Sequence, residues 1–153
     1  MKRILLTTLI AGTLDILAAY INIYIRTGHL SKHMFQYIAG GALGLKNSLN
    51  GGIPVILLGI FFHYFITFSF TLSFFLLYRK NRVFGINPYL AALFLGIFIW
   101  AVMNLVVLPL SALPGGNFDI GRAIIDALIL SVAIGLPVSM SARASITNNN
   151  TGS

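Results

Sequence analysis

Four apolar runs dominate this chain, over residues 4–25, 53–78, 89–110 and about 120–141. A bilayer's hydrocarbon core, roughly 30 Å thick, takes about 20 helical residues to cross, and each run is long enough. Backbone groups in lipid must be satisfied internally, which at these lengths means helices. The fold class that follows is all-α, an integral membrane bundle of four transmembrane helices forming one domain over residues 1–144. Composition agrees, with 58% of residues hydrophobic and only 8% charged, against roughly 25% charged in a soluble domain.

The formal charge of +7 comes from ten Lys and Arg against Asp15, Asp119 and Asp126. The cations stand singly or in small groups at the ends of apolar runs, where they anchor spans to headgroups. A nucleic-acid binder would instead carry them along a basic groove on a water-soluble fold, so no nucleic-acid partner is expected. The absence of cysteine excludes disulfides, thiolate nucleophiles and Cys-ligated metals. Lys2, Arg3 and the following apolar run, ending in Leu17, Ala18 and Ala19, imitate a signal peptide. Asp15 falls where such an apolar core should end, however, and the pattern continues through Ile21, Ile23 and Ile25, so a retained first span is expected. Placing Lys2, Arg3, Arg79, Lys80, Arg82 and Arg143 on the cytoplasmic side leaves Arg26, Lys32, Lys46 and Arg122 outside, and both termini are expected inside.

The connection over residues 26–52 is long for neighbouring helices, which are usually joined by about 2–8 residues. Met34, Phe35, Ile38, Ala42 and Leu45 in it suggest a short interfacial helix capping the outer end. A turn at Asn50, Gly51 and Gly52 leads to Pro54, early in span 2 where its missing N–H is harmless. The short loop through Asn87 and Pro88 makes spans 2 and 3 expected antiparallel neighbours. Pro114, Gly115, Gly116 and Asn117 mark a turn after span 3, and Asp119 reads as an N-cap for span 4. Residues 145–153 form a polar, low-complexity tail expected to be disordered.

Within the spans, small and polar residues recur at helical spacing. Thr8, Gly12, Asp15, Ala19 and Asn22 share one stripe of span 1. Gly59, His63, Thr67 and Thr71 do so in span 2, Ala92, Gly96, Trp100 and Asn104 in span 3, and Ala127, Ser131, Gly135 and Ser139 in span 4. Asp126 precedes the last stripe by one residue, and Pro137 should kink that helix. Small residues let backbones approach and polar ones bond across the contact, so the four stripes are expected to face one another. A carboxylate at mid-membrane costs roughly 2.5–3.5 kcal/mol on insertion scales, so Asp15 should face protein or water. Asp15 and His63 share a depth near the midplane, which predicts a direct or water-mediated contact, and Asn22 and Asn104 share a level further out.

Two readings of Asp15, Asn22, His63, Thr67, Asn104 and Asp126 follow. One is a hydrogen-bonded core that fixes helix register; the other is a path or pocket for a proton, cation or small polar solute. Chemistry of other kinds finds little support. His29 and His33 lack a further ligand nearby, Gly40 and Gly44 lie in a connection rather than a span, and Ser111 and Ser139 have no histidine base at their depths. No phosphate-binding loop, dinucleotide fingerprint or HExxH sequence is present. No catalytic residue, metal or cofactor is therefore expected.

The run Ala11, Gly12, Thr13, Leu14 and Asp15, with His63 and with Trp100, Ala101, Val102, Met103 and Asn104 leading to Pro109, Leu110 and Ser111, resembles small uncharacterised bacterial inner-membrane proteins grouped with YagU. The resemblance runs from Lys2 to about Ser141 and implies a bacterial inner-membrane location without transferring an activity or a catalytic residue. The expected role is a non-enzymatic membrane component that binds lipid, a second copy or another membrane protein. The alternative is a minimal transporter or channel built on Asp15 and His63.

Overall fold

A computed structural model describes residues 1–80, 87–114 and 118–150, with side chains outside 79, 80 and 146–150. Arg82 and the turn residues 115–117 lie outside the described residues, as do the side chains of Arg79 and Lys80. The chain is all-α, and among the described residues four helices are long and apolar enough to cross a membrane. Span 1 is α1 (Lys2–Thr27). The connection that follows holds α2 (Met34–Leu43) and α3 (Leu45–Leu49). Span 2 is α4 (Ile53–Lys80). Span 3 is α5 (Pro88–Val102), continued by a π turn (Met103–Val107) into the short α6 (Leu108–Leu110). Span 4 is α7 (Ile120–Leu130), a second π turn (Ser131–Gly135) and α8 (Leu136–Asn150).

Helix ends follow local chemistry. Gly28 ends α1 in the left-handed conformation, φ 72°, and its N–H bonds the Tyr24 carbonyl at 2.8 Å. Asn87 caps α5 by accepting from the N–H groups of Tyr89 and Leu90, with Pro88 in the first turn. Asp119 caps α7 as expected, accepting from the Arg122 N–H at 2.8 Å. The expected disordered tail is corrected in part. α8 runs on to Asn150, because residues 138–150 contain no proline or glycine to stop a helix already formed through span 4.

Each π turn comes immediately before a Leu-Pro pair. The Leu108 N–H reaches back to the Met103 carbonyl ahead of Pro109, and the Leu136 N–H to the Ser131 carbonyl ahead of Pro137. Proline lacks an N–H and its ring crowds the carbonyl four residues earlier. Widening the turn by one residue accommodates both defects, so Pro137 is absorbed by a π turn rather than by a simple kink.

Span 4 is the hub of the bundle, packing on spans 1, 2 and 3. Its tightest seam is with span 3, where two glycines sit reciprocally. Gly96 lies against the backbone of Ser131, and Gly135 lies against the Ala92 carbonyl. Two of the expected small-residue stripes therefore meet face to face. Spans 2 and 3 touch mainly through aromatic side chains, with the Phe70 and Phe98 rings edge-on at 6.2 Å. They are neighbours as expected, but bulky residues hold their backbones apart. The buried core mixes Ala11, Ala91, Ala133 and Ala142 with Phe74, Leu95, Ile99 and Val138. Large apolar side chains such as Leu9, Leu17, Phe61, Phe65 and Leu128 point outward. Lipid is as apolar as leucine, so close packing of small residues has to supply the contact energy in such a bundle.

The connection between spans 1 and 2 folds into a cap. The backbone of Phe35 presses on Gly59, so the interfacial helix reaches down the side of span 2 instead of staying above it. The His33 Nδ1–H bonds the side-chain carbonyl of Gln36, whose amide donates to the Gly51 carbonyl at 2.6 Å. The Ala112 N–H, just after span 3, donates to the Gly41 carbonyl at 2.9 Å. Gly40 faces Ser48 and Leu113 inside this cap.

Candidate functional site: a polar seam and two grooves

The polar stripes are largely spent on joining helices. On the side nearer the chain termini, Thr7 donates to the Arg3 carbonyl at 2.8 Å and is 2.6 Å from the Ser141 hydroxyl, which therefore donates to it across spans 1 and 4. Thr13 likewise donates to Leu9 at 2.7 Å and accepts from the Tyr64 hydroxyl at 2.9 Å, tying span 1 to span 2. Ser131 spans its own helix and span 3, reaching the carbonyls of Ala127 at 2.7 Å and Leu93 at 3.4 Å.

His63 does not hydrogen-bond Asp15. Its Nε2 lies 2.9 Å from the carbonyl oxygen of Gly12, and a carbonyl only accepts, so Nε2 carries the proton. Helix register explains why the direct form of the expected contact is not made. Gly12 has no side chain and lets His63 and Tyr64 close on the span 1 backbone, one turn short of Asp15. Asp15 makes no hydrogen bond among the described residues, and His63 takes the Gly12 carbonyl instead. Thr67, buried behind the ring, donates to the His63 carbonyl at 2.9 Å. The buried hydroxyls of Thr8 and Thr71 have no hydrogen-bond partner among the described residues.

Asn22 and Asn104, expected at one level, have different partners. Asn22 donates from Nδ2 to the Asp126 carboxylate at 3.2 Å, joining spans 1 and 4. Asn104 donates to the Trp100 carbonyl of its own helix at 2.9 Å and faces a groove instead. Shared depth brought the two asparagines level, but span 4 lies against both spans 1 and 3, and its Asp126 is the acceptor available to Asn22.

Two grooves flank span 4 at its capped end. The first, about 520 Å³, lies between spans 3 and 4 and presents Trp100, Asn104, Phe118, Asp119, Arg122 and Asp126. The Trp100 and Phe118 rings meet edge-on there at 6.3 Å. The second, about 650 Å³, lies between spans 1 and 4. Its walls are Ala18, Ile21, Ile25, Ile125 and Ile129, with Asn22, Arg26 and Arg122 as its polar groups. Sequence reasoning placed Arg26 and Arg122 at span ends without bringing them together. The signal was present, since Arg26 follows Asn22 by one turn and Arg122 precedes Asp126 by one turn, extending the two stripes that pair.

Fold and site together define a multi-pass α-helical membrane protein with a polar seam and two open grooves beside its fourth span. Comparison with protein-family models, curated proteins and solved structures gave no match.

Proposed function

We propose that this protein is a non-enzymatic membrane component that binds lipid or a membrane partner at the grooves beside span 4, in a bacterial inner membrane with both termini cytoplasmic. The observation that carries this reading is the use of the polar stripes. Ser131, Gly96, Gly135, Asn22, Asp126 and His63 are engaged in holding helices together, which is the role expected of small and polar residues in membrane interfaces. What stays open is the pair of grooves, which face the surroundings of the bundle.

One observation favours a second reading, transport of a proton or cation. Asp15 stands at the centre of span 1 without a hydrogen bond among the described residues, one turn from Ala18 in the groove between spans 1 and 4. An ionisable group at that depth is a frequent marker of an ion path. Proton and cation flux into liposomes separates the two readings, using wild type and Asp15→Asn after both are shown to be folded. No flux in either protein supports the binding role. Wild-type flux abolished by Asp15→Asn establishes transport and overturns it.

A further inference from the structure

We infer that the groove between spans 1 and 4 holds an anionic phospholipid, with its phosphate between Arg26 and Arg122 and an acyl chain along the isoleucine wall. The inference rests on the lipid-binding reading above and names the lipid. Two hydrogen bonds set the antiparallel register of these spans, Thr7 to Ser141 near the termini and Asn22 to Asp126 near the cap. One turn beyond Asn22 on span 1 is Arg26, and one turn before Asp126 on span 4 is Arg122. That register puts both arginines toward the capped end of the bundle, and both line the same groove.

Neither guanidinium has a hydrogen bond or ion pair among the described residues. Of the nearby acids, Asp126 accepts from Asn22 and Asp119 from the Arg122 backbone N–H, and neither makes an ion pair with a guanidinium among the described residues. Two like charges side by side repel unless an anion sits between them, and arginine forks match phosphate oxygens well.

Depth identifies the anion's source. Arg26 is eleven residues beyond Asp15 at the centre of α1, or about 16 Å along the helix, where a half-bilayer of roughly 15 Å gives way to headgroups. Below the arginines the groove is mostly apolar: Ala18, Ile21, Ile25, Ile125 and Ile129 line it inward from the charged end, with Asn22, bonded to Asp126, as the remaining polar residue. A phosphate at the mouth above a hydrocarbon channel is the layout of a phospholipid, and a free phosphate would leave the lower groove unused.

Native mass spectrometry of the full chain in mild detergent, with equal amounts of phosphatidylglycerol and phosphatidylcholine added, tests this directly. Wild type should retain phosphatidylglycerol in preference to phosphatidylcholine. Arg26→Gln with Arg122→Gln should weaken phosphatidylglycerol retention about thirtyfold, at about one headgroup-level cation's worth of attraction per arginine, and weaken retention of zwitterionic phosphatidylcholine less, so that the preference between the two lipids is lost. Ala18→Phe, which fills the groove and keeps both arginines, should also lose phosphatidylglycerol, and millimolar inorganic phosphate should not displace the lipid from wild type. Equal retention of the two lipids by wild type, or undiminished phosphatidylglycerol retention by either variant, would overturn the site. Displacement by inorganic phosphate would also overturn it, by making it a soluble-anion site. Any of these results leaves the non-transporting reading standing, whereas wild-type flux would remove that reading whatever lipid is retained.

Discussion

Gly96→Ala should destabilise the bundle through a collision that no side-chain trimming relieves. A Cβ at position 96 would meet the N and Cα of Ser131 as well as its hydroxyl, all closer than real Cβ contacts occur. Backbone atoms in a helix cannot swing aside, so spans 3 and 4 must separate along their tightest seam. Overpacking of this kind costs about 1–3 kcal/mol, and the better helix propensity of alanine returns up to about 1 kcal/mol. With a backbone clash this close taken at mid-range or above, a cost of at least about 2 kcal/mol, the net expectation is a loss of at least about 1–2 kcal/mol, a change of about 5–30-fold or more in the folded-to-unfolded ratio. Adding Ser131→Ala removes only the hydroxyl and should not restore stability. Gly12→Ala provides the contrasting case. Its Cβ would lie 2.8 Å from Cε1 of the Tyr64 ring, a side chain, so Tyr64→Ala should largely relieve the added clash. Equilibrium unfolding in mixed detergent micelles, followed by circular dichroism, gives all the values needed. A neutral or stabilising Gly96→Ala, or recovery on adding Ser131→Ala, would refute the backbone-contact argument.

Breaking the bond between Asn22 and Asp126 should cost about 0.6–1.7 kcal/mol, as polar contacts between membrane helices do. The same unfolding assay on Asn22→Ala, Asp126→Ala and the double variant should give a coupling energy in that range, and simple additivity would deny the contact. Pro137→Ala restores a backbone donor and removes the reason for the π turn before it. Reversion to an α turn would rotate the rest of α8 by about 100°. A cross-link between Thr7→Cys and Ser141→Cys, efficient with Pro137 in place, should then fall sharply. Gly59→Ala puts a methyl group into the Phe35 carbonyl, so it should loosen α2 from span 2 and speed hydrogen exchange at residues 34–43 without unfolding the spans.

The spans, the caps at Asp119 and the small-residue stripes were legible because each depends on local residue type and spacing. Ala92 and Gly96 face Ser131 and Gly135 as the four-residue steps suggested. The partners of individual polar groups were less legible. Periodicity says which residues share a face and depth but not which neighbour that face meets, so the partner of Asn22, Asp126 on span 4, was not identified. His63 shows a different limit, since its acceptor is the backbone carbonyl of Gly12. Every residue has such a carbonyl, and residue identity therefore gives no sign of it. Pro137 announced a kink, yet the form the irregularity takes, a widened turn that keeps the helix running, is a backbone arrangement that residue type alone does not specify.

The bond from Ala112 to Gly41 has a bearing on the order in which the molecule is built. Its acceptor lies in the segment after span 1, and its donor lies just beyond span 3. As the chain leaves the ribosome, α2 can settle against Gly59 once span 2 has entered the bilayer, but its Gly41 carbonyl waits for some seventy further residues. The early hairpin is thus a provisional structure, held on one side only, and the chain after span 3 acts as its latch. A nascent chain halted before residue 112 would hold the cap against span 2 through Phe35 and Gln36 and lack only this bond to the chain after span 3.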